Sequence, residues 1–371
     1  MSSSPTALVI GGTGPTGPGV VHGLLERGYE VTILHGGHHE VSLPTEVPHI
    51  HADAHFAETL SEGLGGATFE LVVAQYGRLS VICDVLRGRT SRLVAIGGAT
   101  GSLAAPADPR WGLAGRPATL TEDREVLEDD IERNKFGFRM AQAEQALFDG
   151  HRSGDYEAVY LAYPIVYGPR VLIPHEWSIV RRILDGRRQF IIADGGIKLE
   201  SRLFTRNAVA SVLRVVDVPE LAAGEKFVVT DEDVFSMRQR IEFIARCLEV
   251  EVELVDAPFA AAAPCHPYWR HVRDNRLRSS DKVRRVLGHQ DETAAEAALG
   301  ETVDWLVEHR PPVGGAQETK LGDAFDYAAE DEVIDRWIEA SRRAATQEPG
   351  PHVHPYRHPS SPGEDWTPPA S

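Results

Sequence analysis

Short apolar runs alternate with helical patterns through the first half of the chain. Residues 7–10, 30–34, 71–74 and 93–96 are largely apolar, rich in β-branched side chains, and bounded by glycine or polar turns. Runs of this kind suit strands buried on both faces of a parallel sheet. Between the first two, residues 19–26 place Val20, Val21, Leu24 and Leu25 on one helical face. The rhythm predicts an α/β fold with a doubly wound parallel sheet. A helical stretch over 124–148 and another apolar strand over 158–162 complete a core assigned to residues 1–162.

The second half is less regular. Residues 177–184, 238–248, 281–287 and 294–307 read as helices, and 227–230 and 250–255 as extended. A last amphipathic helix over 331–343 carries Val333, Ile334, Trp337 and Ile338. Residues 163–345 are therefore expected to form a smaller C-terminal α/β substrate lobe, with segments that return to the core. From 346 to 371 proline, serine and histidine dominate, and too few apolar groups remain to offset the entropy of ordering. That segment is expected to be a disordered tail.

Charge narrows the function. The chain has 371 residues, with 38 Lys and Arg against 55 Asp and Glu, a formal net charge of −17. Such a surface repels phosphate backbones and anionic headgroups, which disfavours nucleic-acid and membrane partners. No run approaches the roughly 20 apolar residues of a membrane helix. The opening MSSSPT shows neither a basic region nor a cleavage site. Three scattered cysteines (Cys83, Cys247, Cys265) make no disulfide framework. A cytoplasmic protein acting on a small molecule is the expectation.

The sharpest signal is Ala7-Leu8-Val9-Ile10-Gly11-Gly12-Thr13-Gly14-Pro15-Thr16-Gly17, placed between a predicted strand and a predicted helix. This is the context of a dinucleotide-binding loop. Gly11 allows the tight turn, Gly14 admits a pyrophosphate to the backbone, and Gly17 lets helix and sheet approach. The helix N-terminus then offers N–H groups and partial positive charge to phosphate. Pro15 and Pro18 are tolerated because the first helical turn needs no N–H there. The sheet is thus expected to be of the Rossmann type.

The G-x-x-G-x-x-G spacing resembles the extended and atypical short-chain dehydrogenase/reductase superfamily, of the NAD-dependent epimerase/dehydratase type. Further elements carry the resemblance over roughly residues 5–310. Ala52-Asp53-Ala54 resembles the family's acidic contact to adenine. Tyr163-Pro164-Ile165-Val166-Tyr167-Gly168-Pro169 matches its YPxxYGP element, which implies that backbone groups of Pro164 and Val166 approach the nicotinamide. Arg206-Asn207-Ala208-Val209 resembles the family's N-V-A segment, and Ser280-Asp281-Lys282-Val283-Arg284-Arg285-Val286-Leu287-Gly288 its D-x-x-K-x-R-x-x-L-G segment. The resemblance implies a bound NAD or NADP, contacted by Gly11, Thr13, Gly14, Pro15, Thr16, Gly17, His35, Gly36, Asp53 and Ala54. It also implies a homodimer, by analogy with relatives.

The second strand ends Ile33-Leu34-His35-Gly36-Gly37-His38-His39-Glu40, with no carboxylate at its tip to take the ribose hydroxyls of NAD. That lack tolerates a 2′-phosphate, which His38 or His39 could contact, so the balance leans slightly to NADP over NAD.

The catalytic pair of the family is missing. Relatives carry Tyr-x-x-x-Lys, in which the lysine's charge lowers the tyrosine's pKa for proton transfer. Anchoring on Glu144 puts Phe136 at the tyrosine position and Met140 at the lysine position, and no tyrosine in the chain has a lysine four residues later. Gly97 and Gly98 stand where relatives carry a serine pair, leaving Thr100 as the nearest hydroxyl. Replacement acid/base candidates are Tyr76, after the strand that flanks the nicotinamide, and the adjacent His175 and Glu176. An ordinary loop tyrosine and a helix-start glutamate are the structural alternatives. Arg139 is a candidate cation near the vacated pair, and Cys265-His266 a remote nucleophile candidate.

Six of the 16 histidines (His35, His38, His39, His49, His51, His55) fall within 21 residues. His49 and His51 would share a strand face, yet no recognised zinc pattern accompanies them, so surface or cofactor contact is expected rather than a metal. Three readings follow: an NAD(P)-dependent reductase, dehydratase or isomerase with a non-standard acid/base set; a nucleotide-binding sensor or pseudoenzyme without redox turnover; or a lyase or cyclase on the same fold.

Overall fold

The computed structural model describes residues 4–37, 41, 43, 47–75, 77–99, 119–123, 131–132, 134–262 and 275–343. Its strands are β1 (Thr6–Ile10), β2 (Glu30–His35), β3 (His49–His51), β4 (Phe69–Ala74), β5 (Thr90–Gly98) and β6 (Glu157–Tyr163). They continue with β7 (Ile165–Tyr167), β8 (Gln189–Ala193), β9 (Arg202–Phe204), β10 (Lys226–Val228) and β11 (Glu253–Ala257). Helices in the first half are α1 (Gly17–Glu26), α2 (Ala57–Leu64), α3 (Leu79–Leu86) and α4 (Lys135–Arg152). After them come α5 (Trp177–Leu184), α6 (Thr205–Asp217), α7 (Pro219–Ala222), α8 (Met237–Cys247) and α9 (Phe259–Ala262). The last are α10 (Asp281–Leu287), α11 (Ala295–Glu308), α12 (Ala316–Leu321) and α13 (Tyr327–Arg343).

Seven strands make one sheet in the order β10-β6-β5-β4-β1-β2-β3, parallel at every pairing. The order reverses between β1 and β4, which creates the crevice where ligands of open α/β sheets bind. Continuous apolar sequence in β1 is explained by burial on both sides. Ala7 and Val9 face α1, α6 and α10, where Val20, Leu24, Ala208, Val212 and Leu287 pack. Leu8 and Ile10 face α2, α3 and α4, through Leu60, Ile82, Leu86 and Leu147. The fold is the expected doubly wound α/β sheet of Rossmann type.

The chain's second half is tied to the first by α6. It packs closely on α1, where a Cβ on Gly23 would lie 2.3 Å from Leu213 Cδ1 and displace that side chain. β10 then joins the edge of the central sheet beside β6. Away from the sheet, Trp177, Ile179 and Ile183 of α5 pack with Ile241 and Ile244 of α8, and with Leu299 and Val303 of α11. β8 and β11 pair in parallel beside them, and α13 covers this ribbon through Ile334. Arg182 on α5 is 1% exposed and holds Asp323 at 2.6 Å together with Glu330 of α13.

Boundaries differ from expectation in a few places. The helix expected over 124–148 begins at Lys135, where Asn134 Oδ1 accepts the Gly137 N–H at 3.0 Å, and runs on to Arg152. Residues 124–130 lie outside the described residues. Phe227 and Val228 form the strand expected over 227–230, and the one expected over 250–255 sits at Glu253–Ala257. The last helix starts four residues earlier than expected, at Tyr327. The tail from 346 onward lies outside the described residues.

Removing Arg182 strands two buried carboxylates, which is costlier than the pair itself is stabilising. Arg182→Ala should therefore lower unfolding free energy by about 3–5 kcal/mol. Urea unfolding followed by tryptophan fluorescence checks this, and a midpoint equal to the parent's would contradict it.

Candidate functional site

The glycine loop sits at the reversal point of the sheet. Gly11 has φ +90°, and its N–H donates to Leu34 O at 2.8 Å, which turns the chain over the end of β2. A Cβ on Gly17 would lie 2.3 Å from the Gly12 carbonyl carbon and oxygen, so the start of α1 can close on the turn only without a side chain. At Gly14 a Cβ would meet nothing nearer than Gly11 O at 3.4 Å. Room at Gly14 is thus left on the outer side of the loop.

Thr16 precedes α1 but does not cap it. Its hydroxyl donates instead to Gln75 Oε1 at 2.5 Å, across the crevice at the end of β4. Gln75 Nε2 is buried and has no hydrogen-bond partner among the described residues. An orphaned amide donor beside a helix N-terminus fits an acceptor-rich ligand in the crevice, because a buried unsatisfied donor is costly.

Along the outer edge, His35 is buried at the tip of β2 and Gly36 is exposed. Asp53 Oδ1 accepts from the His55 backbone N–H at 2.9 Å and lies 2.7 Å from His55 Nδ1. Ala54 is fully buried, and its carbonyl accepts the Arg78 N–H.

Beyond the loop lies a cavity of about 200 Å³ lined by Gly98, Ala99, Phe136, Tyr163, Pro164, Ile165, Glu200, Ser201, Arg276 and Arg278. Phe136 projects from the first turn of α4, and its Cζ would stand 3.3 Å from a Cβ on Gly98. A Cβ on Gly97 would collide with the Tyr160 hydroxyl at 2.0 Å. Phe136 is therefore on the cavity wall, with Gly98 beside it. Pro164 lines the cavity. Val166 pairs with Leu203 in the β7–β9 ribbon and packs on the sheet core.

The far wall was not foreseen. Residues 275–278 run beside 199–201, joined by Ser201 N–H to Arg276 O at 2.9 Å and Arg278 N–H to Ser201 Oγ at 2.9 Å. Arg278 reaches over to donate to Ala99 O at 2.7 Å. Glu200 is gripped by Arg202 at 2.9 Å and lies 3.7 Å from Arg276. Burial raises its pKa, but Arg202, Lys198 and Arg276 outweigh this, so the carboxyl sits below its ordinary range and is ionised at neutral pH. Nothing in local sequence marks Glu200 or Arg276, because they meet only through tertiary pairing of distant segments. Tyr163 turns its hydroxyl away, to Ala208 O and Ser211.

His175 and Glu176 are not among the cavity-lining residues. Glu176 is buried between Arg202 at 3.5 Å and Arg240 at 3.3 Å, which hold its carboxyl below the ordinary range despite desolvation. That is a structural ion cluster. Burial, with Arg202 nearby, pulls the His175 pKa down to about 4. Tyr76, Thr100, His38, His39 and Cys265-His266 lie outside the described residues. Arg139 is on α4, but is not among the lining residues.

No protein-family model matches the sequence, and no curated protein matches it. Solved structures do match in fold. UDP-glucose 4-epimerase with UDP-glucose from Thermotoga maritima is 17% identical, covering 82% of this chain and 100% of its own, with TM-score 0.62. dTDP-glucose 4,6-dehydratase in complex with NAD from Bacillus anthracis is 14% identical, covering 83% and 98%, with TM-score 0.62. RMD complexed with NADPH from Pseudomonas aeruginosa is 14% identical, covering 82% and 98%, with TM-score 0.58. The chain has the fold of the NAD-dependent epimerases and dehydratases, in agreement with the resemblance read from its motifs.

Two outcomes follow from this geometry. Gly14→Ala should change stability by no more than about 0.5 kcal/mol, whereas Gly17→Ala should cost about 1–3 kcal/mol because backbone must move. Thermal unfolding of both variants checks the contrast. Separately, burial holds His175 and His289 to pKa values of about 4, against an ordinary 6.5. Between those values the unfolded chain binds protons that the fold refuses, so stability falls as pH drops through this window. A His175→Gln/His289→Gln variant should lose less stability between pH 6.5 and 4 than the parent, read from urea midpoints.

Proposed function

We propose that the chain is an NAD(P)-binding enzyme of the epimerase/dehydratase kind, acting on a small organic molecule without the Tyr-x-x-x-Lys pair. The single observation behind this is the uncapped start of α1 set against the orphaned Gln75 amide at the reversal point of the sheet. Gly11, Thr13, Gly14, Pro15, Thr16 and Gly17 would hold the pyrophosphate, His35, Gly36, Asp53 and Ala54 would flank the adenosine, and Pro164 would border the nicotinamide. When bound, a nicotinamide supplies or accepts hydride.

The chain's own residues set the rest. Phe136 offers an apolar edge where a phenol would exchange a proton, and Met140 brings no charge to it. Among the cavity-lining residues the ionised carboxylate is Glu200, and the cations are Arg276 and Arg278. A carboxylate held ionised among guanidiniums is a weak base, so Glu200 would orient Arg276 beside the cavity, and the arginines would hold an anionic or carbonyl oxygen. The lean to NADP rests on the absence of a carboxylate at His35-Gly36. A soluble small-molecule role and a homodimer remain part of the proposal, and among the described residues no helix is long and apolar enough to cross a membrane.

A second reading has its own support. Phe136 stands against Gly98 with no hydroxyl on either, which leaves that wall of the cavity without a proton-transfer group, as a nucleotide-binding protein without redox turnover would permit. Two measurements separate the readings. Titration of the protein with NADPH and with NADH, followed by nicotinamide fluorescence, should saturate, NADPH at the lower concentration; no binding of either would end the proposal. Phe136→Tyr/Met140→Lys should gain turnover of NADP+ or NAD+ with UDP-glucose as probe if the cavity is otherwise intact, and an inert double variant favours the second reading.

A further inference from the structure

Three imidazoles converge at the outer edge of the sheet, in a place that the proposed hydride chemistry does not use. β3 is the edge strand and pairs with β2 in the register Ile33 with His49 and His35 with His51. Alternation of side chains in a strand puts His49 and His51 on one face, and the cross-strand pairing puts His35 on that face too. His35 Nε2 lies 3.1 Å from His49 Nδ1. The ring of His35 meets those of His49 and His51 edge-on, with centroids 5.1 and 4.8 Å away. One ligating nitrogen from each of the three residues falls within 4.8 Å of the others.

We propose that His35, His49 and His51 bind one transition-metal dication of the zinc, cobalt or nickel class. Three neutral imidazoles are a ligand set that such ions prefer, while magnesium and calcium select oxygen. With metal–nitrogen bonds of about 2.0–2.1 Å, tetrahedral ligands sit roughly 3.4 Å apart. The 3.1 Å approach of His35 to His49 is already close to that edge. His51 is exposed, so its ring can close the remaining distance by side-chain rotation. Among the described residues no fourth ligand joins these three.

Proton accounting is consistent with this. In the neutral pair a single proton lies between His35 Nε2 and His49 Nδ1, and the metal takes its place. His35 must then carry its proton on Nδ1, which gives up the 3.2 Å hydrogen bond from the Gly37 N–H. The ion would tie the edge strand β3 to β2, one residue from Gly36. Cys and carboxylate spacing of the familiar zinc patterns is absent, which is why sequence alone points away from a metal here. The three ligands are assembled by strand register, which spacing does not display.

The test uses the full-length, untagged protein after chelator treatment, titrated with CoCl2 and followed by visible absorption. The tail has its own histidines (His352, His354, His358), so their triple alanine variant is the control. One equivalent of cobalt should bind saturably to the parent and to the tail variant. His49→Gln/His51→Gln should weaken binding by roughly 100-fold or more. Both residues are exposed, and an unchanged urea midpoint without metal confirms that this variant is folded. Saturating ZnCl2 should also raise the melting temperature of the parent and tail variant but not of His49→Gln/His51→Gln. Absence of saturable binding, binding that survives loss of His49 and His51, or binding lost only with the tail histidines would each overturn the proposal.

Discussion

Everything in this molecule is arranged around the contact between Gly17 and Gly12. A backbone-to-backbone approach that would put a Cβ 2.3 Å from a carbonyl is possible only for glycine, and it fixes the angle at which α1 leaves the end of β1. The helix start is thereby held over the reversal point of the sheet, facing Gln75 just after β4. Behind it, α1 is packed by α6, so a helix from the chain's second half braces the loop of the first. The same α6 follows directly after β9, whose partner β7 begins at the cavity. One short turn thus couples the loop, the cavity and the second lobe.

The cavity has an aromatic wall and a charged wall. Tyr160 forbids a side chain at Gly97, and Phe136 crowds one at Gly98. Phe136 and Gly98 share one wall of the cavity. Charge lies on the other wall, where Glu200 is kept ionised by Arg202, Lys198 and Arg276. The cavity borders the end of the sheet where the loop lies.

Much of the fold was legible because strand burial on both faces writes continuous apolar runs, and because the loop's glycines are spaced by geometry. β1, β2, β4, β5 and β6 are found within a few residues of the positions that periodicity indicated. Helix α5 matches because Trp177, Val180, Ile183 and their neighbours repeat at helical spacing. β8 and β9 were not foreseen, since their runs are short and open on polar residues, Gln189 and Arg202. The position of Phe136 on the cavity wall was readable by counting back from Glu144. His175 and Glu176 were attractive as neighbours in sequence, but Glu176 pairs with Arg202 and Arg240, and neither residue lines the cavity. Glu200 and Arg276 were invisible for the opposite reason: they are 76 residues apart and meet only through tertiary pairing of 199–201 with 275–278.

The central claim is that the loop and the cavity together form one cofactor-binding crevice. A crystal structure of the protein grown with NADPH tests it most directly. The account predicts pyrophosphate over the backbone of residues 13–17, an acceptor on Gln75 Nε2, and the nicotinamide ring beside Phe136 and Pro164. Nucleotide bound elsewhere, or a crevice still empty at saturating NADPH, would contradict it.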